Sequence, residues 1–584
     1  MKWDLTKLYA SFDDPQFAAD VQKLKESAES MLARARAFDG SAEQLVALIR
    51  DTEALTILDM KVGSFAYLTV AADASNAKAL AACDKLHPIN NITAQFYSAL
   101  SAKLGEIEDL EALIASDELL RTHAYLLRKM KTEAGHVIDP VLEPVVLKMQ
   151  MTGGTAWSQL RGQLDSGLMI DFEEDGKTVK LPLSAIRGKA FSADPDVRRR
   201  AYEAEIAAYP RMDTAMAACL NGIKGEALTM AELKKYDSVL DMALATSNMD
   251  RATLDALLAA MKESLPMFRK YLRLKAKMLG YEGGLKFYDL FAPMGSAGKT
   301  YSPEEARNLM VEVLGAFSPR MGNMINRAFD ERWIDLFPRE GKRGGAFCSG
   351  IPPLGFSYVL TNYEGSYSSV STLAHELGHA YHNECMRDVP VLLTDYPMPL
   401  AETASIFNET LMGEKILQTA DKDMQITMIE QQLSDGAQVI VDILSRFLFE
   451  YEVVEQRKER TLSPADLREI MLNAQKETYG DGLDPDCMHP YMWACKPHYY
   501  STGVHFYNFP YAFGQLFALG VYALYEEKGA EFLPDYEKLL QAAGNGDVRE
   551  VAASVGIDVT DVNFWRSSLK FFEDKLALLE KLVG

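Results

Sequence analysis

Residues 371–382 read Ser371-Thr372-Leu373-Ala374-His375-Glu376-Leu377-Gly378-His379-Ala380-Tyr381-His382, and inside them lies His-Glu-x-x-His. On a helix, positions i and i+4 share a face, so His375 and His379 aim at one metal ion. Glu376 leaves the backbone about 100° round from His375. Its carboxylate then lies beside the ion without being a ligand. Two imidazoles fixing Zn2+, with a glutamate to take a proton from water, is the pattern of metal-assisted peptide hydrolysis. The plain alternative is a helix with two satisfied histidines and a surface glutamate. Ser368, Ser369 and Ser371 precede the motif, where N-caps belong, and favour a helix start there.

A catalytic zinc takes three protein ligands and keeps one position for water. The downstream acids are Glu384, Asp388, Asp395, Glu402 and Glu409. Glu384 and Asp388 lie on the same helix or at its end and cannot easily turn back on the metal. Glu402 sits on the next predicted helix, after a loop long enough to return, and spacing favours it as third ligand. Its alternative is a helix-start acid favoured by the macrodipole. Glu409, two turns further along the same face, could bind a histidine from behind. A metzincin would need glycine at 382 and histidine at 385; the chain has His382 and Cys385, which excludes that class. His382 reads as a packed residue.

The transition state of peptide hydrolysis carries a negative oxygen, which needs donors in a water-excluded place. Residues 497–511, Pro497-His498-Tyr499-Tyr500-Ser501-Thr502-Gly503-Val504-His505-Phe506-Tyr507-Asn508-Phe509-Pro510-Tyr511, are dense in histidine and tyrosine, with Gly503 as a possible pivot. Tyrosine clusters serve packing as readily as catalysis.

The elements that must position these groups are mostly helices. Through the first 165 residues apolar positions recur at three and four, as in Leu45, Leu48 and Ile49, and Gly153-Gly154 interrupts them. Leu168–Phe172 and Thr178–Leu181 flank Glu174-Asp175-Gly176 and predict a β-hairpin. Asp194-Pro195 opens a helical stretch to Leu233. Asp250 opens another helix, with Leu254, Leu257, Leu258, Met261 and Leu265 on one face, which Pro266 is expected to kink or end. A loop is expected over 280–300, and a helix start at Ser302-Pro303. Ahead of the motif, Ala346–Cys348 and Phe356–Thr361 read as short strands. They could offer an edge to an extended peptide or form a purely structural sheet. Helices are predicted from Leu400 to about 475, and a last one over Val562–Leu582.

Composition bounds the function. The chain has 584 residues, 48% hydrophobic and 25% charged, with a net charge of −22. That charge argues against nucleic acid and anionic membranes as partners. Six cysteines without CxxC spacing suit a reducing cytoplasm. The start, Met1-Lys2-Trp3-Asp4-Leu5, has no apolar signal region. The apolar run Tyr511–Tyr525 is short for a membrane span and reads as a buried helix.

Together, Thr372–Ala380, the later Ala401-Glu402-Thr403-Ala404-Ser405, and Lys496–Tyr500 with Phe506–Tyr511 resemble the oligoendopeptidase F branch of the thimet-oligopeptidase-like metallopeptidases. Gly345–Ser349 and Thr361-Asn362-Tyr363 add to the likeness. The resemblance implies a mainly α, two-lobed protein with a deep central channel, a small sheet near the motif helix and one Zn2+ per chain. An N-terminal helical lobe over 1–190 and a catalytic region over 191–584 are the expected division. It further implies that His375, His379 and Glu402 are ligands, Glu376 the general base, and His498, Tyr507 and Tyr511 the groups that stabilise the oxyanion and hold substrate. His505 competes with His498. The implied substrates are short unstructured peptides cut internally. A zinc carboxypeptidase, or a peptide-binding protein with a relic zinc helix, would carry similar residues, although the second has no use for Glu376.

Overall fold

The computed structural model describes every residue except 140, 175 and 296–298. The protein is mainly helical, with two small sheets among the described residues. Its packing divides the chain into two units, each assembled from three separate segments. The first takes Met1–Val137, Gly298–Gln418 and Val521–Ile557; the second takes Ile138–Ala297, Thr419–Gly520 and Asp558–Gly584. No segment boundary falls at 190. Leu168, Ile170, Phe172 and Ile186 share a core with Leu220, Phe449 and Trp493, which draws the hairpin region into the second unit.

In the first unit, long helices Pro15–Arg36, Ala42–Ala72 and Ala77–Gly105 pack around Leu24, Leu45, Leu48, Val62, Phe96 and Leu100. Ala42–Ala72 is long and apolar enough to cross a membrane, yet Leu45, Leu48, Val62 and Phe65 on it belong to this core. The same cluster takes in Ile351, Tyr358 and Leu360 from a three-stranded sheet. That sheet comprises β3 (Ile334–Asp335), β4 (Phe347–Ile351) and β5 (Phe356–Leu360), which follow the hairpin strands β1 (Met169–Glu174) and β2 (Lys177–Pro182) in the chain. Its order is β3-β5-β4, with β5 parallel to β3 and antiparallel to β4, so β4 lies at an edge. Gly355 makes the β4–β5 turn in the left-handed region, at φ +73°, which glycine adopts without steric cost.

In the second unit, β1 (Met169–Glu174) and β2 (Lys177–Pro182) form the expected hairpin, in register from Met169 with Pro182 to Glu174 with Lys177. Asp175 of the predicted turn, and Gly298 of the predicted loop, lie outside the described residues. The helix opened by Asp250 does not end at Pro266; it runs Arg251–Met278. An interior proline costs about 3 kcal/mol, and packing outweighs it here. Leu265, Phe268, Tyr271 and Leu272 are buried on either side of the proline, and Phe268 meets Phe572 of the last helix, Val562–Val583, at 5.5 Å.

Candidate metal centre

The His-Glu-x-x-His residues lie on helix Tyr367–Cys385. Ser366 is its N-cap, accepting from the Ser369 N–H at 3.1 Å. Ser368, Ser369 and Ser371 therefore sit inside the first turns, not ahead of them. Val370, Leu373, Leu377, Ala380 and Tyr381 are buried, a stripe that fixes the helix roll. His375 and His379 sit on the other edge, with 25% and 19% of their side chains exposed. Near the helix end, Tyr381 donates to Glu537 at 2.5 Å, and His382 donates from Nε2 to the Leu540 carbonyl at 3.1 Å. His382 also stacks on Tyr396 at 4.2 Å. Burial, chiefly, holds its pKa down to about 3, so this histidine is a neutral packing residue.

Glu402 is not inside a helix. Met398–Ala401 forms one short turn, Glu402 ends it at φ −86°, ψ 1°, and Thr403–Thr419 continues as a new helix. This break lets the carboxylate swing back to the motif. Its Oε2 lies 3.2 Å from His375 Nε2 and 3.5 Å from His379 Nε2. Ser405 steadies it, donating its hydroxyl to the same oxygen at 2.7 Å. Glu409 receives His375 Nδ1 at 3.1 Å and the Ser371 hydroxyl at 2.9 Å. With Nδ1 donating to Glu409, Nε2 is the nitrogen turned to Glu402, and its lone pair becomes available to a metal once its proton leaves.

Two helices must come very close for this. A Cβ at Gly378 would lie 2.5 Å from the Ala404 carbonyl oxygen and 2.6 Å from the Ser405 Cα. On the sheet side, a Cβ at Gly350 would lie 2.0 Å from the Asn383 side chain. Glycine in a helix interior costs about 1 kcal/mol relative to alanine, so Gly378 was a readable sign of close approach, though not of the partner. That Ser405 donates to Glu402 and Ser371 to Glu409 had no sign in the sequence.

The charges suit a cation. Ligand atoms of His375, His379 and Glu402 all lie within 4.8 Å of one another. Burial, the largest influence on Glu402, raises its pKa, but His375 and His379 outweigh it and hold it at about 2. Burial likewise works against the charge on His375, yet Glu402 and Glu409 raise it to about 10. Burial prevails at His379, lowered to about 4. The anionic carboxylate thus pulls a proton onto the neighbouring imidazole, the place a divalent ion takes by displacing that proton. Two imidazoles and a carboxylate are a donor set that zinc accepts. Glu376, only 6% exposed, is raised to about 7, chiefly by burial.

The second unit gathers the late donors. His498, on the short turn Pro497–Tyr500, stacks on Tyr507 with centroids 4.6 Å apart and planes 11° from parallel. The Tyr507 and Tyr511 hydroxyls meet at 2.6 Å. Burial, then the cations Arg446 and Lys496, lower His498 to about 4. His505, the competing histidine, is buried 3.4 Å from Lys224 Nζ.

A helical protein in which one helix supplies His-Glu-x-x-His and a later break returns a glutamate has the site of a metallopeptidase. Residues 190–571 match Peptidase family M3, and the chain belongs to that family; within it, the likeness is to the oligoendopeptidase F branch. It is 24% identical to the oligopeptidase PepF of Bacillus subtilis over all of this chain and 87% of that protein. A solved peptidase-type chain from Chlamydophila abortus is 25% identical, with TM-score 0.89 over 100% of this chain and 98% of its own. The oligoendopeptidase-F structure from Enterococcus faecium, at 20% identity, shares the fold with TM-score 0.70 over 97% and 99%.

Proposed function

We propose that this protein is a zinc-dependent endopeptidase that hydrolyses internal bonds of short, unstructured oligopeptides. The observation that carries the reading is the convergence of His375, His379 and Glu402 within 4.8 Å, with buried Glu376 on the same helix. Those three residues would hold one Zn2+. When bound, the ion supplies Lewis acidity, bringing a water pKa towards about 7 and polarising a carbonyl. Glu376 takes the proton of the attacking water at its carboxylate and delivers it to the departing amide nitrogen. A carboxylate within reach of both the water and the departing nitrogen serves both transfers. His498, Tyr507 and Tyr511 donate to the developing oxyanion and hold the peptide.

The printed names of the relatives, oligopeptidase and oligoendopeptidase F, support short peptides cut internally. Strand β4, at its sheet edge, suits an extended peptide backbone. The six free cysteines suit a reducing compartment, and the cytoplasm is the one we assign. The test uses zinc-loaded protein and a library of quenched peptides, half of them amidated at the C-terminus. Mass spectrometry should find internal cuts in both halves. Trimming confined to uncapped ends would make the enzyme a carboxypeptidase, and no cleavage at all would leave a peptide-binding protein.

A further inference from the structure

Within the second unit, the stretch between His498 and Tyr511 turns on one unusual residue. Phe506 has φ +53°, a conformation in which a bulky side chain is strained. Such strain persists only where the surroundings over-determine it. Here they do. The Phe506 N–H donates to Glu450 Oε1 at 3.1 Å, and the same oxygen receives Lys224 Nζ at 2.5 Å. Lys224 is 0% exposed and Glu450 2%. Lys224 Nζ also reaches His505 Nδ1 at 3.4 Å, fixing the residue before the turn. The Phe506 ring packs on Phe447 at 5.4 Å. Two residues on, Asn508 accepts from Arg446 at 3.2 Å, and Arg446 is itself paired with buried Asp442.

Arg446, Phe447 and Glu450 lie on one face of helix Ile443–Glu459, so a single rigid element grips both sides of Tyr507. A buried ion pair is seldom worth more to stability than an apolar pair of the same volume. Its presence calls for another reason, and the acceptor given to Phe506 supplies one.

We propose that Lys224 and Glu450 are positioning residues for the reaction: they hold the left-handed turn at Phe506 so that Tyr507 lies flat on His498 with its hydroxyl on Tyr511. The pair acts through Tyr507 and touches no substrate. This rests on the reading of His498, Tyr507 and Tyr511 as oxyanion donors.

Two neutral replacements separate the acceptor from the charge. Lys224→Met with Glu450→Gln keeps an oxygen for Phe506. Lys224→Met with Glu450→Leu does not. In zinc-loaded full-length enzyme, the first should stay within about threefold of normal kcat. The second should lose about a hundredfold in kcat, the scale of a misplaced catalytic group. In a Tyr507→Phe background, the second pair should cause little additional loss, because its effect runs through that hydroxyl. Equal kcat for the two pairs, or losses that multiply in the Tyr507→Phe background, overturns the proposal. Should Tyr507→Phe alone be fully active, the oxyanion reading fails on its own. Crystal structures of the two pairs then decide the positioning claim, and an intact Tyr507–Tyr511 contact in the leucine pair refutes it. If the leucine pair does not fold, hydrogen exchange at the Phe506 amide of the unaltered enzyme decides: slow exchange is expected, and free exchange overturns the clamp.

Discussion

The Ala404 carbonyl oxygen stands where a methyl group on Gly378 would meet it at 2.5 Å. The contact is backbone to backbone, with no flexible side chain to yield. We expect Gly378→Ala to drive the motif helix from Thr403–Thr419, and with it Glu402 and Ser405 from the histidines. Overpacking of this kind costs about 1–3 kcal/mol. Zinc affinity, read by competition with a chelator, should fall along with the melting temperature. Unchanged values for both would mean that the helices have room to spare.

Glu409 should matter to the metal without binding it. Its carboxylate holds His375 Nδ1, and removing such a partner typically weakens metal binding by about 10–100-fold. We therefore expect Glu409→Ala to bind zinc more weakly while still reaching one ion per chain at saturation, with activity returning as zinc is added. A stoichiometry of zero at saturating zinc would promote Glu409 to a ligand.

Glu376 and Glu402 are adjacent in charge but opposite in consequence. Glu376→Gln should keep its metal by elemental analysis and lose roughly 10²–10⁴-fold in kcat, the range of general acid–base catalysis. Glu402→Ala should lose the metal itself. A near-normal turnover for Glu376→Gln removes that residue from the proton-transfer role, and full zinc content in Glu402→Ala removes the other from the ligand set.

Far along the second unit, Glu205 is held by the Tyr209 hydroxyl at 2.6 Å, by His489 Nε2 at 3.1 Å and by Arg187. Burial alone would raise its pKa, but His489 and Arg187 outweigh it, and the value falls from 4.5 to about 2. A pKa lower in the folded chain than in the unfolded one stabilises the fold above the unfolded value. That stability, on the order of 3 kcal/mol, drains away as pH falls from about 4.5 to about 2. Glu205→Gln should be less stable at neutral pH and should show a flatter loss of stability across that acid window, measured by urea unfolding. An identical slope in both proteins would assign acid unfolding to other carboxylates.

The motif was legible because its geometry is local: four residues on a helix bring His375 and His379 to one face whatever surrounds them. Glu402 was legible from loop length, but its helix break was not, since Leu400–Glu409 has continuous helical propensity and only the packed histidines and Ser405 show why the chain parts there. The helix end offered by Pro266 fails for the complementary reason. The proline signal is local, whereas the apolar contacts that carry the helix past it come from Val562–Val583, some three hundred residues away by the numbering. The interleaving of the two units had no local sign at all. A chain that crosses between cores leaves the same apolar periodicity as one that stays.

The motif helix takes its support at Tyr381 and His382 from Glu537 and Leu540, which follow it by more than a hundred residues. During synthesis the histidines emerge long before that support does. The last turn of the motif helix therefore settles only after residue 540 has been made, on a part of the fold that is synthesised late.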